Sequence, residues 1–387
     1  MTIRGAAFIA GVYEHPLRVI PDKSTAQVHA EVALGAVADA GLSLDDVDGY
    51  FCAADAPGFG ALSMADYLGL RRLSHLDSTE MGGSSYVAHV GHAAAAIAAG
   101  KCSVALITLG GRPRHERVMG SRGRPGPESD FEAPYGLNTV ALYALAAQRH
   151  MHEFGTTSEQ LAEVKVAASL HAQHNPHAYL PKPVTVDEVV ESRLVSDPLH
   201  LLDCCVVTDG GGAVVVVSPD VARSLARRSV KVLGHGEATK NPDNGRIDLT
   251  YTAAVWSGPR AFDEAGVTPA DVDYASIYDS FTITVVETVE DLGFCAKGEG
   301  GRFVSDGTLV APHGRLPFNT DGGGLCNNHP TNRGGITKVI EAVRQLRGEA
   351  HPQVQVADAQ IALVHGTGGS LATRMGSATL ILGQEDS

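Results

Sequence analysis

No charged residue falls between Met81 and Gly100, and a helix apolar on every face must be buried on every face. The stretch is too rich in glycine, serine, histidine and alanine to read as a membrane span. It runs through Lys101 into the β-branched segment Val104 to Thr108, which reads as a central strand. The pattern predicts a helix enclosed in a layered α/β core. Upstream, Ala6 to Val12 reads as a short strand, and Ser24 caps a helix reaching about Ala40 in which Val28, Val32 and Ala36 recur at helical spacing. The chain closes that helix on Gly41, crosses the acidic loop Leu44-Asp45-Asp46-Val47-Asp48 and enters a strand at Gly49 to Ala53.

The same order of signals returns much later. A helix over Trp256 to Asp263, the stop Gly266, an Asp-containing loop and the strand Tyr274 to Tyr278 follow one another. Without gaps, Ala40, Gly41, Asp46, Val47 and Asp48 recur as Ala265, Gly266, Asp271, Val272 and Asp273. Each half then supplies a helix, a buried strand and a Gly-Gly end: Tyr86 to Ala99 with Gly110-Gly111, and Arg333 to Leu346 with Gly368-Gly369. The expected architecture is two related α/β halves, residues 1–255 and 256–387, packed as one layered body. The segment from about 112 to 203 lacks this rhythm. It opens on Gly and Pro punctuation, holds helices from about Asn138 to Phe154 and from Ser158 to Ala172, and closes through Asn175-Pro176 and Pro181-Lys182-Pro183, so it reads as an inserted lobe.

Composition narrows the function. Over 387 residues the chain is 44% hydrophobic and 19% charged, an ordinary globular balance with room for two core-sized units. A formal net charge of -14 argues against nonspecific nucleic-acid binding, which needs Lys and Arg to neutralise phosphates. Within this acidic chain Arg112, Arg114, Arg117, Arg122 and Arg124 are opposed only by Glu116. Such a loop suits the phosphates of a coenzyme A ester or an acidic partner, and equally a solvated surface. Six cysteines without a C-x-x-C pair, an N-terminus without signal-peptide features and a C-terminus that is not a peroxisomal address set the expected location as reducing cytoplasm. His89 and His92, and the string His171, His174 and His177, lack accompanying carboxylate or cysteine ligands, and no G-x-G-x-x-G or P-loop occurs. Neither a metal nor a nucleotide cofactor is expected.

The candidate chemistry begins where the uncharged helix begins. Gly82-Gly83-Ser84-Ser85 is a flexible turn at a helix N-terminus, where the dipole and free N–H groups would activate a cysteine, and no cysteine is there. The turn resembles the nucleophile turn of the thiolase superfamily, Cys-x-Ser-Gly before a buried helix, with Gly82 at the cysteine and Ser84 and Ser85 at the Ser-Gly. Asp197-Pro198-Leu199 followed by Thr208-Asp209-Gly210-Gly211-Gly212-Ala213 resembles the family's return segment. The resemblance covers nearly the whole chain and implies the two-half fold with an inserted loop lobe. It places Tyr278-Asp279-Ser280-Phe281 at the family's Asn-Glu-x-Phe loop, Asn328-His329-Pro330 at Gly-His-Pro, and His365-Gly366-Thr367-Gly368-Gly369 at the final Cys-x-Gly loop. Both family cysteines are thus replaced, by Gly82 and His365, while the oxyanion histidine is kept as His329.

The resemblance implies thioester chemistry without an acylated cysteine. It makes His329 a donor to a thioester oxygen and Tyr278 and His365 proton carriers. Gly82, Ser84, Asp279, Asn328, Gly368 and Gly369, with Arg112 and Arg114 of the basic loop, are the implied substrate-binding residues. No bound cofactor is implied; coenzyme A enters as part of the substrate. Tyr278-Asp279-Ser280-Phe281 followed by Leu292-Gly293-Phe294-Cys295 further resembles the lipid-transfer aldolases of steroid side-chain breakdown. Those cleave β-hydroxyacyl-CoA thioesters by a retro-aldol route with a small zinc-ribbon/OB-fold partner of the DUF35 type, although His329 stands where they place a second tyrosine. A homodimer is the implied assembly. Two other readings stay open: a thiolase-type acyltransferase with another nucleophile such as Ser84, Ser85 or Cys326 or one supplied by a partner, and a non-catalytic acyl or lipid carrier or scaffold.

Overall fold

One mixed sheet runs through both halves of the chain. The computed structural model describes residues 2–54, 56–116, 129–136, 138–330 and 334–385. Its strands are β1 Phe8–Glu14, β2 Gly49–Phe51, β3 His75–Asp77, β4 Val104–Gly111, β5 Leu194–Ser196, β6 Leu199–His200, β7 Gly210–Val217, β8 Val230–Lys240, β9 Tyr274–Ile277, β10 Ile361–Ser370 and β11 Thr373–Gly383. Nine form a single sheet in the order β3-β2-β4-β7-β1-β8-β11-β10-β9, while β5 and β6 pair in the lobe. The longer helices are α1 Thr25–Asp39, α2 Ser85–Ala98, α3 Thr139–Phe154, α4 Ser158–Ala172, α5 Ala254–Ala265, α6 Thr282–Asp291 and α7 Gly335–Arg347. No helix among the described residues is long and apolar enough to cross a membrane.

Strand alternation sorts these elements into layers. In β4, Val104 and Leu106 pack outward with α1, whereas Ala105, Ile107 and Leu109 pack inward. In β10 and β11, Ala362, Val364, Ala378 and Leu380 join the same inward cluster, while Leu363 and Ile381 face the outer helices α5 and α6. Helices α2 and α7 fill the centre, each packed against both the β7 part and the β8-β11-β10 part of the one sheet, so that a section through the molecule meets helix, sheet, helix, sheet, helix. As its lack of charge predicts, α2 is enclosed: only Ala95 and Ala98 along it are exposed. Val87, Val90 and Ile97 of α2 and Val339 and Ile340 of α7 are buried there, each side chain contributing ~1.5–3 kcal/mol.

The repeat read from the sequence is a repeat of geometry. Helix α1 ends at Gly41 (φ +71°) and α5 at Gly266 (φ +66°), each glycine in the left-handed region that side chains avoid. In the loops that follow, Asp46 Oδ2 accepts the Ser43 N–H at 2.8 Å and Asp271 Oδ2 accepts the Thr268 N–H at 2.7 Å. Asp48 then accepts the Val104 N–H at the start of β4, as Asp273 accepts the Ile361 N–H at the start of β10. Among the recurring residues the glycine stops the helix, the first aspartate closes the loop's turn and the second clamps the strand entry. β8 lies before the expected boundary at 255 but pairs along most of its length with β11, and with β1 only through Val230 and Lys231. In the sheet, the change of halves falls between β1 and β8.

Candidate active site

The turn at the head of α2 is locked from both sides. Ser84 Oγ donates to Met81 O at 2.7 Å and Ser85 Oγ to Gly82 O at 2.8 Å. Both serines are buried, so their hydroxyls serve the turn itself. Strand β10 crosses above with its even-numbered face toward the turn. A Cβ on Gly368 would lie 1.7 Å from Met81 O, and one on Gly82, itself at φ +59°, would lie 2.9 Å from Gly368 Cα and Gly369 N. The space that a cysteine side chain would need at position 82 is occupied by backbone. The ring of Tyr278 closes the third side, since a Cβ on Gly83 would lie 2.5 Å from its Cζ. Gly82, Ser84, Gly368, Gly369 and Tyr278 thus converge.

Tyr278 also reaches the fourth loop. Just beyond β9, its N–H donates to His365 O at 2.9 Å, and its hydroxyl lies 2.7 Å from His329 Nε2. Burial holds the Tyr278 phenol well above its usual pKa, and the nearby Cys205 and Tyr143 act in the same sense. Burial pushes the His329 imidazole down to about 4, with Lys338 adding to that push and Asp279 opposing it. At neutral pH the phenol is therefore the donor and the imidazole the acceptor. The His329 N–H donates to Thr208 Oγ1 at 2.8 Å, and that hydroxyl donates to Asn328 Oδ1 at 2.8 Å. Asn328 Nδ2 in turn donates to Glu14 Oε1 at 2.9 Å. The loop bearing Asn328 and His329 is tied by residues distant in sequence.

Several sequence-based expectations change. Asp279, expected to bind substrate, is 1% exposed. Its carboxylate accepts the Gly324 N–H at 2.8 Å and the Leu325 N–H at 3.1 Å, and pairs with Lys338 Nζ at 2.9 Å, so its acceptors face protein. The Asn328 amide is likewise engaged by Thr208 and Glu14. His365, expected to move protons beside Tyr278, lies on the odd-numbered face of β10, opposite the turn. Its Nδ1 is 2.9 Å from Thr379 Oγ1, which is itself 2.9 Å from Ser257 Oγ of α5. Only its backbone carbonyl meets Tyr278; alternation along a strand is the reason. Arg112 Nε donates to Ile20 O and Arg114 NH1 to Val207 O, each at 3.0 Å, so both guanidinium groups hold main chain. Arg117, Arg122 and Arg124 lie outside the described residues, as does Arg333, the expected start of α7.

The candidate thiol Cys326 and three further histidines are held locally. Cys326 is fully buried, and burial raises its pKa, which keeps it a thiol. His171 Nε2 accepts the Ala311 N–H at 2.8 Å, and His174 stacks on His351 at 4.9 Å. His92 bridges Asp77 and Glu237 at 2.9 and 3.1 Å. Two surface clefts, of about 320 and 180 Å³, are lined by Glu14, Arg227 and Arg344 and by Lys240, Tyr251 and Trp256; neither is lined by Tyr278 or His329. Sequence reasoning missed Lys338, Thr208 and Glu14. Lys338 sits between Ile336 and Val339-Ile340, inside an apolar helix face, and that position was the available signal.

Comparison with known proteins agrees with this fold. Residues 236–384 match the thiolase C-terminal domain-like family. The chain is 34% identical over 383 residues to an acetyl-CoA acetyltransferase of Methanothermobacter thermautotrophicus, covering 95% of this chain and 98% of that one. It is 35% identical over 364 residues to the steroid side-chain-cleaving aldolase of Thermomonospora curvata, covering 89% and 91%. The solved structure of the Ltp2-ChsH2(DUF35) aldolase superposes with a TM-score of 0.88 at 34% identity over the full length of both chains. With the fold, the repeat and the convergent loops in agreement, the chain belongs to the thiolase superfamily, with steroid side-chain aldolases among its relatives.

Proposed function

We propose that this protein is an acyl-CoA lyase that splits the Cα–Cβ bond of a β-hydroxyacyl-CoA by a retro-aldol reaction, with Tyr278 and His329 as its proton-transfer pair. The observation that carries the reading is the 2.7 Å contact between the Tyr278 hydroxyl and His329 Nε2, beside a turn where backbone fills the place of a nucleophile's side chain. In the forward step the Tyr278 oxygen accepts the β-hydroxyl proton as its own proton passes to Nε2. The O–H electron pair becomes the new carbonyl bond, the Cα–Cβ bond breaks, and its electrons delocalise into the thioester as an enolate. The imidazolium then returns a proton through Tyr278 to Cα, which yields a shorter acyl-CoA and a ketone or aldehyde. His329 accepts here rather than donating to the thioester oxygen. His365 takes no part, and neither step calls on a resident cofactor beyond the coenzyme A carried by the substrate.

The aldolase relatives support a steroid- or lipid-derived acyl group and a DUF35-type partner chain, since the similar solved aldolase carries that partner in its name. A homodimer in reducing cytoplasm is the setting we propose. Acyl transfer is the second reading, favoured by the similarly close acetyltransferase relative, and a carrier or scaffold the third. The discriminating experiment incubates the protein, alone and with a DUF35-type partner, with β-hydroxyacyl-CoA esters, and follows both ketone or aldehyde release and protein mass. Carbonyl product without an acyl adduct supports the lyase; a stable adduct supports the transferase. Neither product with any ester supports the carrier.

A further inference from the structure

The turn that carries Asn328 and His329 is poorly able to hold itself. It opens on Gly322-Gly323-Gly324, and Gly322 and Gly323 adopt φ of +95° and +62°, a conformation glycine reaches with a large loss of chain entropy. Asp279 supplies the missing constraint by accepting the Gly324 and Leu325 N–H groups. The fit is tight: a Cβ on Gly323 would stand 2.1 Å from Asp279 Oδ2, and one on Gly324 would stand 3.2 Å from His329 Cδ2. Behind that carboxylate the Lys338 ammonium lies 2.9 Å from Oδ1, on a side chain 2% exposed. A buried ion pair of this kind adds little stability over an apolar pair of similar volume. Stability alone does not account for a lysine here.

We propose that Lys338 and Asp279 are positioning residues: together they seat the glycine turn beneath His329 and place a compensated pair of charges beside its imidazole, so that Nε2 remains an acceptor for the Tyr278 hydroxyl. In its catalytic consequence the proposal rests on the lyase reading; the seating of the turn rests on the Asp279 hydrogen bonds and its ion pair with Lys338, whatever the reaction. The titratable groups facing His329 are Tyr278 and Asp279 from the β9–α6 junction and Lys338 from α7. Cys205 acts on Tyr278 and Asp321 on Lys338. Burial disfavours the Lys338 charge, but the carboxylates of Asp279 and Asp321 outweigh burial and raise its pKa above the ordinary lysine value. On His329 the two partners act with opposite sign. The cation disfavours the imidazolium and the carboxylate favours it.

The test is a titration of His329 in protein labelled with ¹⁵N-histidine, the resonances assigned by their loss in His329→Asn. The wild-type midpoint is expected at about 4. In Lys338→Met the uncompensated carboxylate should raise it by about a unit or more. In Asp279→Asn the imidazole should stay neutral to the lowest pH at which the fold persists, and the double variant should return toward wild type. With lyase substrate, Lys338→Met should lose roughly tenfold in kcat with KM little changed, its acid limb moving up with the midpoint, while Lys338→Arg should restore both. An unchanged midpoint in folded Lys338→Met overturns the proposal whatever the activity. Should Lys338→Met not fold, a raised midpoint in Asp279→Asn overturns it and a lowered one supports it. Shifts of the expected sign in a protein without lyase activity support the positioning and count against the lyase.

Discussion

His329 and His365 are chemically alike and oppositely placed. Each ring is buried, each meets a hydroxyl, Tyr278 at 2.7 Å and Thr379 at 2.9 Å, and burial holds them down to about 4 and about 3. They differ in the face they serve. His329 sits on a glycine turn tied by Thr208 and looks toward the loops around Gly82. His365 sits within β10 on the face packed by α5, where Thr379 and Ser257 complete a polar contact inside the outer layer. A depressed pKa and a hydroxyl partner therefore do not distinguish the proposed reacting histidine from a structural one. Placement does: His329 lies on a loop against Tyr278, whereas His365 lies on the strand face turned to α5.

The largest effect that would test this contrast is on turnover. Tyr278→Phe and His329→Ala should each lower kcat on the order of a hundredfold or more, ~3 kcal/mol, with smaller changes in substrate binding. Equal losses in His365→Ala, at unchanged thermal stability, would erase the distinction. Next comes the packing between β10 and the turn. Gly368→Ala should cost ~2–4 kcal/mol in denaturant unfolding, because its Cβ would meet Met81 O, and a neutral result would contradict the close approach. His365→Ala should cost ~1–3 kcal/mol of stability while turnover of the folded enzyme stays within about threefold.

Acid stability sharpens the comparison further. Both histidines have folded pKa values below the unfolded value of 6.5, so below pH 6.5 the unfolded chain binds protons that the folded chain refuses. The stability they contribute is full above 6.5 and is lost as pH falls toward 4 and 3. Each contributes up to ~1.4 kcal/mol per pH unit in that window. His365→Gln should flatten the fall of unfolding free energy between pH 6 and 4 by about that slope, and an unaltered slope would show that burial of His365 is not protonation-linked. The smallest expected effect is at Arg114: with its guanidinium on Val207 O at the surface, Arg114→Ala should change KM for the acyl-CoA by less than about threefold. A tenfold rise would restore the phosphate-gripping role that the basic loop suggests.

How legible the molecule was in its sequence varies with the range of the interactions. Helix α4 was readable to its ends, Ser24 caps α1 as expected, and α3 starts one residue after the expected Asn138, which caps it, because caps and periodicity are local. β3 and β8 went unread. β3 is three residues long, and β8 carries Lys, His and Glu among its valines, so neither gives a clean alternation. The convergence of the Gly82, Tyr278, Asn328-His329 and Gly368-Gly369 loops was anticipated through family resemblance. The direction in which His365 points was not.

By itself the sequence determined the layers and the repeat. An uncharged helix has nowhere to lie but inside, and Gly41 with Asp46 and Asp48 states the same local geometry as Gly266 with Asp271 and Asp273. The tertiary structure alone decided who faces whom. Tyr278 and His329 are 51 residues apart and Glu14 and Asn328 are 314 apart, and no local pattern encodes contacts at such range. It also decided that Asp279 turns inward to Lys338 while Gly82 is filled by backbone, because those outcomes depend on how closely α2, β10 and α7 approach, and close approach is a property of the packed layers and not of any one segment.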